Sequence, residues 1–317
     1  MAARRRCGEG RNLCWAAGVC SLVVGMTIGL IAIAALLLSA SPALAASAVE
    51  IARGKYIFGA TGGCGCHTEP KGSVNAGGRK FEGSFGTVYS TNITPDTKTG
   101  IGGWTDEQII GAIRLGRRPN GERIVPVHPF TSFNGMAGDD LAALAAFLRT
   151  VPPVTRPNTP KKITVPMFES VFLPAWLMTF AAIETPPPAA PVAGVARGEY
   201  LVRAVGHCGD CHTPRSAMTM ALDNSRFLAG NTKKTGPEGQ ATPNITPDKA
   251  TGLGDWTEEQ IVTYLGTGAR PDGDEAGGLM GDSIQGTLAG YKDLTKLDLR
   301  AIARYLKSIP AVNNKIE

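Results

Sequence analysis

The chain repeats itself, and that constrains its fold more than any other feature. Residues 52–56 read ARGKY and residues 196–200 read ARGEY, while NITPD stands at both 92–96 and 244–248. Trp104-Thr105-Asp106-Glu107-Gln108 matches Trp256-Thr257-Glu258-Glu259-Gln260, and Asp140-Leu141 through Pro152 matches Asp298-Leu299 through Pro310. Two copies of one domain, 48–152 and 194–312, account for this pattern. Residues 153–193 separate them. The stretch 152–191 holds 10 of the 22 prolines, which marks an extended linker. Its apolar run, Met167 to Ile183, is short and broken by Pro174, so it is expected to pack against the domains rather than span a membrane.

The chain has 317 residues, 43% of them hydrophobic, enough for two packed cores. Its 40 glycines and 6% aromatics imply long loops between short elements. The net charge is +5, and the four arginines and one glutamate of residues 1–45 supply three of those charges. A body so weakly charged is a poor case for nucleic-acid binding, which needs a basic face, and no nucleic-acid partner is expected. Arg4, Arg5, Arg6 and Arg11 precede an uncharged, largely apolar stretch, and Ala43-Leu44-Ala45 closes it. Residues 1–45 read as a secretory signal or, uncleaved, as a membrane anchor. Both place the body outside the cytoplasm.

Each copy reads as a small helical domain. Thr105 and Gln108, like Thr257 and Gln260, form capping boxes that start a helix. Leu141, Leu144, Ala145 and Leu148 fall at i, i+3, i+4 and i+7, as do Leu299, Ile302, Ala303 and Leu306. Each set makes one apolar stripe on a closing helix. Gly54 and Gly198 sit inside helical patterns, where glycine is costly, so another helix is expected to approach closely there. No convincing alternation marks a strand.

Chemistry follows each opening helix. Copy two reads Cys208-Gly209-Asp210-Cys211-His212, and C-x-x-C-H is the attachment signature of a c-type haem. Two thiols at this spacing can add to two vinyl groups, and the next histidine then lies under the iron. A redox C-x-x-C expects a βαβ context, and a zinc site needs further soft ligands; copy two offers neither. Copy one reads Cys64-Gly65-Cys66-His67, one residue shorter between its cysteines. Cys66 can still tether a haem and His67 ligate it, with Cys64 a second candidate tether. A copy that has lost its haem is the bland alternative.

These residues carry a resemblance. Gly206 through Arg215, the segment Asn92-Ile93-Thr94-Pro95-Asp96 with Gly102-Gly103-Trp104, and Pro126 through Met136 resemble bacterial periplasmic di-haem cytochromes c. The family is similar to the cytochrome c subunits of membrane-bound alcohol and gluconate dehydrogenases. The resemblance covers nearly all of 48–312. It implies an all-α chain: two tandem class I cytochrome c folds joined by a Pro-rich linker, after an N-terminal signal or anchor. It implies two covalently bound haem c groups, ligated by histidine and methionine. The implied location is the periplasm, at the inner membrane. The implied partners are redox proteins: a dehydrogenase, a quinol-oxidising complex or a terminal oxidase. Dehydrogenase-linked members often have three haem modules, and the motifs here are those of two.

The sixth ligand decides between electron transfer and catalysis. In copy one the resemblance favours Met136, before the closing helix, with His128 as rival. In copy two the candidate is Met280, since Met218 and Met220 follow the attachment motif too closely. Trp104 and Trp256 read as core seals, Pro95 and Pro247 as loop shapers, and His207 as a surface residue. The expected activity is electron transfer, not catalysis. Two alternatives stand beside it: a haem enzyme acting on a small substrate at the irregular first site, and a mono-haem carrier whose first copy only docks.

Overall fold

The computed structural model describes residues 46–63, 65–181 and 185–316, so the N-terminal segment 1–45 and Cys64 lie outside the described residues. Ser47 opens helix α1 (Ala48–Ala60), its hydroxyl accepting from the Glu50 N–H at 3.1 Å. A 3₁₀ turn, Gly65–His67, follows. Two short strands come next, β1 (Lys80–Gly83) and β2 (Gly86–Tyr89), then α2 (Asp106–Leu115), the single turn α3 (Phe130–Phe133) and α4 (Gly138–Leu148). Thr105 and Gln108 close the expected capping box on α2. Leu141, Leu144, Ala145 and Leu148 are all buried on α4. Each of these leucines contributes about 1.5–3 kcal/mol by burial.

The second half repeats this order. Helix α6 (Gly194–Tyr200) runs into a wide turn, Leu201–Val205, and then α7 (Cys208–His212). Then come α8 (Glu258–Thr267), α9 (Gly278–Gln285) and α10 (Lys296–Ser308). Thr257 and Gln260 cap α8 as a second box.

Opening and closing helices touch in both halves at the glycines the sequence singled out. A Cβ on Gly54 would lie 1.9 Å from the Ala143 carbonyl oxygen, and one on Gly198 would lie 1.9 Å from that of Ala301. The Phe58 and Phe147 rings pack beside the first contact, 5.2 Å apart.

The fold is helix-rich, as expected, but not all-α. Strands β1 and β2 form a hairpin, Lys80 opposite Tyr89 and Gly83 opposite Gly86, and β3 (Lys162–Ile163) adds antiparallel to β2. Four-residue strands are too short for alternation to show in a sequence. Gly86, at φ 121°, allows β3 close approach: a Cβ there would lie 2.2 Å from the Lys162 carbonyl oxygen.

Much of the proline-rich stretch is tied down. The Val154 carbonyl accepts from Asn92 Nδ2 at 2.7 Å, Asn158 Oδ1 accepts from the Asn92 N–H at 2.7 Å, and Arg156 Nη2 reaches Glu69 at 2.7 Å. Helix α5 (Leu173–Phe180) buries Leu173 and donates from Trp176 Nε1 to the Thr219 carbonyl at 2.7 Å. Its remaining apolar surface includes the exposed Met178 and Phe180. Among the described residues, no helix is long and apolar enough to cross a membrane.

The two halves exchange one side chain each. Buried Asp140 accepts from Arg53 Nε of its own half at 2.8 Å and from the Tyr200 hydroxyl of the other half at 2.7 Å. Buried Asp298 accepts from Arg197 Nη2 of its own half at 2.7 Å and from the Tyr56 hydroxyl of the other at 2.6 Å. Burial, and then the aspartate beside each phenol, raise both tyrosine pKa values. Tyr200→Phe removes a donor from a buried carboxylate, so a stability loss of about 1–3 kcal/mol is expected in chemical denaturation.

Candidate functional site

In the second half, the α6 turn ends on Gly206 and His207, and His207 adopts left-handed backbone at φ 39°. The chain then enters α7, whose single turn presents Cys208, Cys211 and His212. In the first half the equivalent bend is Gly62-Gly63, at φ 76° and 65°, before Cys66 and His67. Cys66, Cys208 and Cys211 are free thiols. Burial pushes Cys208 and Cys211 up to about 12 and Cys66 up to about 11, so all three are protonated at neutral pH.

The two motif histidines are held alike. His67 Nδ1 donates to the Thr91 carbonyl at 2.7 Å, and His212 Nδ1 donates to the Pro243 carbonyl at 2.8 Å. A carbonyl can only accept, so the proton sits on Nδ1 and Nε2 carries the lone pair an iron would need. Both carbonyls immediately precede an NITPD segment. Asn92 Oδ1 accepts from the Thr94 N–H and hydroxyl, and Asn92 Nδ2 donates to Thr99 Oγ1 and to Val154 O. Asn244 repeats every one of these bonds with Thr246, Thr251 and Val312. The repeated motif thus locks the peptide that orients each histidine, a role its sequence did not disclose. Asn244→Ala strips a buried loop of four hydrogen bonds. A loss of about 2–3 kcal/mol is expected, read as a lower thermal midpoint.

A cavity of about 670 Å³ joins the two attachment turns: Cys66 and Cys211 both line it, with Phe81, Phe85, Trp176 and Arg215. Each turn also packs against the other half. Ser132 Oγ donates to Asp210 Oδ2 at 2.6 Å. Arg79, itself buried, bonds Glu238, Asp282 at 3.0 Å and the Gly65 carbonyl at 3.3 Å. Its carboxylate partners raise its pKa, so it stays charged. Arg79→Ala leaves Glu238 without its ion-pair partner. Because Asp282 is half exposed, the expected loss is about 2 kcal/mol rather than the 3–5 of a fully buried pair. Denaturant titration measures it. Nothing in the sequence linked Arg79 to residues 159 and 203 positions away.

The sixth-ligand candidates fall in different settings. Met280 lies on α9, partly buried against the core, and Leu279 beside it lines the cavity. Met136 is completely buried in the core at the foot of α4. His128 lies among Val125, Pro126, Val127 and Pro129, all of which line the cavity. Its Nε2 is buried without a partner. His207 is not a surface residue: its Nδ1 is buried, and its ring meets Phe133 edge-on at 5.2 Å. Asn75 is wholly buried with both amide atoms unpartnered, and its side chain needs polar company the protein does not supply. Free thiols, oriented histidines, a roomy apolar cavity and orphaned polar atoms fit a thioether-bound haem at each turn.

Burial lowers the pKa of all four histidines, His128 to about 3. They stay neutral when folded and take up protons on unfolding below their ordinary value of 6.5. Stability therefore falls as pH drops below about 6.5, and thermal midpoints against pH record the slope.

No family model matches the chain. It is 39% identical over 309 residues to a diheme cytochrome c-type protein of Cereibacter sphaeroides, which covers 92% of this chain and 99% of that protein. It is 37% identical over 291 residues to the cytochrome c subunit of a quinone-type alcohol dehydrogenase of Gluconobacter oxydans, and 38% identical over 272 residues to the gluconate 2-dehydrogenase cytochrome c subunit of Pantoea cypripedii. Those alignments cover 90% and 82% of this chain but only 59% and 60% of the two subunits.

Proposed function

We infer, because this chain belongs to the family of di-haem c-type cytochromes, that it passes single electrons between protein partners. It is an electron-transfer protein and not itself a catalyst. Two covalently bound haem c groups supply the one-electron exchange between ferric and ferrous iron. Cys208 and Cys211 tether one, with His212 as its proximal ligand and Met280 as its distal ligand. Cys66, with Cys64 beside it in sequence, tethers the other, and His67 is its proximal ligand. The carbonyls of Thr91 and Pro243 hold the two imidazoles in the ligating tautomer.

The observation that carries this reading is the shared cavity: Cys66 and Cys211 line one space. The two attachment turns therefore face one space, where two haems held by them would let an electron cross within the chain. The likeness to dehydrogenase cytochrome subunits supports a dehydrogenase as donor, in the periplasm at the inner membrane, with residues 1–45 as signal or anchor. The arrangement is two class I cytochrome c domains, 48–152 and 194–312, joined by the strap 153–193. Haem content by pyridine haemochrome, together with intact mass, tests the reading: two haems per chain are expected, and a single haem overturns it.

A further inference from the structure

The two halves share a backbone register through the loop that leads to each sixth-ligand position. After α2, Arg117 bridges Arg123; after α8, Ala269 bridges Glu275. The Arg118 N–H donates to the Glu122 carbonyl at 2.9 Å, as Arg270 does to Asp274 at 2.8 Å. Gly121 donates to Arg118 at 2.9 Å, as Gly273 does to Arg270 at 3.1 Å. Ile124 donates to Gly116 at 2.8 Å, as Ala276 does to Gly268 at 2.9 Å. Every bonded residue in one half thus has its counterpart at one constant offset in the other. Carried four residues further, past Ile124 and Ala276, the register sets His128 against Met280.

Met136 falls elsewhere. It directly precedes Ala137, the N-cap of α4, as Leu294 directly precedes Thr295, the N-cap of α10. Both are buried core residues, Met136 at 0% exposure and Leu294 at 7%. The first half therefore keeps a core methionine where the second keeps a core leucine, and places a histidine where the second places its candidate ligand.

We propose that His128 Nε2, and not Met136, provides the distal ligand of the first haem, so that the chain pairs a His/His centre with a His/Met centre. This deepens the function given above and rests on it. The polar groups around the His128 ring include the His67 and His207 imidazoles and the Ile113 and Ala112 carbonyls on α2, while Nε2 is buried with no hydrogen-bond partner. A histidine that merely filled the core beside Phe133, 5.6 Å away, would leave that nitrogen unsatisfied. The cavity walls join the two segments: Val127 and Pro129 flank His128, Cys66 adjoins His67, and all three flanking residues line the same space.

The consequence is a direction of flow. A thioether ligand raises the reduction potential of a haem and a second imidazole lowers it. One electron is taken from a reduced dehydrogenase or quinol into the first half, moves downhill to the second half, and leaves to an oxidised acceptor. No proton is needed at either axial ligand.

The ferric holoprotein tests this through its long-wavelength sulfur-to-iron charge-transfer band, measured with haem content. The wild type is expected to hold two haems but show the band of one centre. Met280→Ala should abolish the band, Met136→Leu should leave it intact, and His128→Met should double it and raise only the lower of two titrated potentials. Loss of amplitude in Met136→Leu, or half the band surviving in Met280→Ala, overturns the proposal while two haems keep the electron-transfer reading intact. One haem in the wild type instead sinks the two-haem reading itself.

Discussion

Replacing Cys208 and Cys211 together by alanine leaves one haem on the chain where the native protein has two. Both thioethers of the second site come from this pair, and no other cysteine lies in residues 194–312. His212 alone offers a single coordinate bond, which exchanges, whereas the thioethers do not. The pyridine haemochrome absorbance per chain is expected to fall by half, and the intact mass to drop by one haem. The emptied site also strands the side chains that enclosed it, so the thermal midpoint falls as well. An unchanged haem count would show that the attachment motif of the second half has been misread. Cys211→Ala alone is the milder case: Cys208 and His212 still hold the group, and a one-tether site shifts the spectrum without halving it.

A single methyl group at Gly198 has the largest expected effect on folding. In Gly198→Ala the new Cβ would stand 1.9 Å from the Ala301 carbonyl oxygen and 2.8 Å from the Tyr305 Cβ, contacts that backbone and side chain cannot both yield. Helices α6 and α10 must move apart, and the buried stripe on α10 opens with them. Overpacking of this kind costs about 3 kcal/mol or more when backbone is the obstacle. Gly111→Ala is the matched control. Gly111 lies inside α2 with nothing within 4 Å of its would-be Cβ, so alanine there is expected to stabilise by about 0.5–1 kcal/mol. Urea titrations of the two variants should move in opposite directions; similar losses in both would remove the close-approach account.

What could be read from the sequence was what side-chain identity preserves. Capping boxes, apolar stripes, the two glycines and the attachment motifs are local, and each survived as recognisable letters in both copies. The hairpin escaped notice because KFEG and GTVY are too short to display a period of two. The Arg79 clamp escaped because its partners, Glu238 and Asp282, lie far away in sequence, 159 and 203 positions on. The correspondence of His128 with Met280 was hidden for another reason. Pro126-Val127-His128 and Gly278-Leu279-Met280 share no residue, and only the hydrogen-bond ladder of the preceding loops aligns them. Likewise, NITPD announced its own importance twice, but nothing in its letters said that it braces the carbonyl facing an imidazole.

The exchange of tyrosines bears on how such a chain can be cut or evolve. Asp140 and Asp298 are each half-neutralised at home by an arginine and completed by a phenol from abroad. Neither half can be released as a free-standing carrier without taking the phenol from a buried carboxylate and baring the face that received the foreign ring. A duplication bound together in this way gains and loses its stability as a single object, and a change on either side of the seam is felt in both halves.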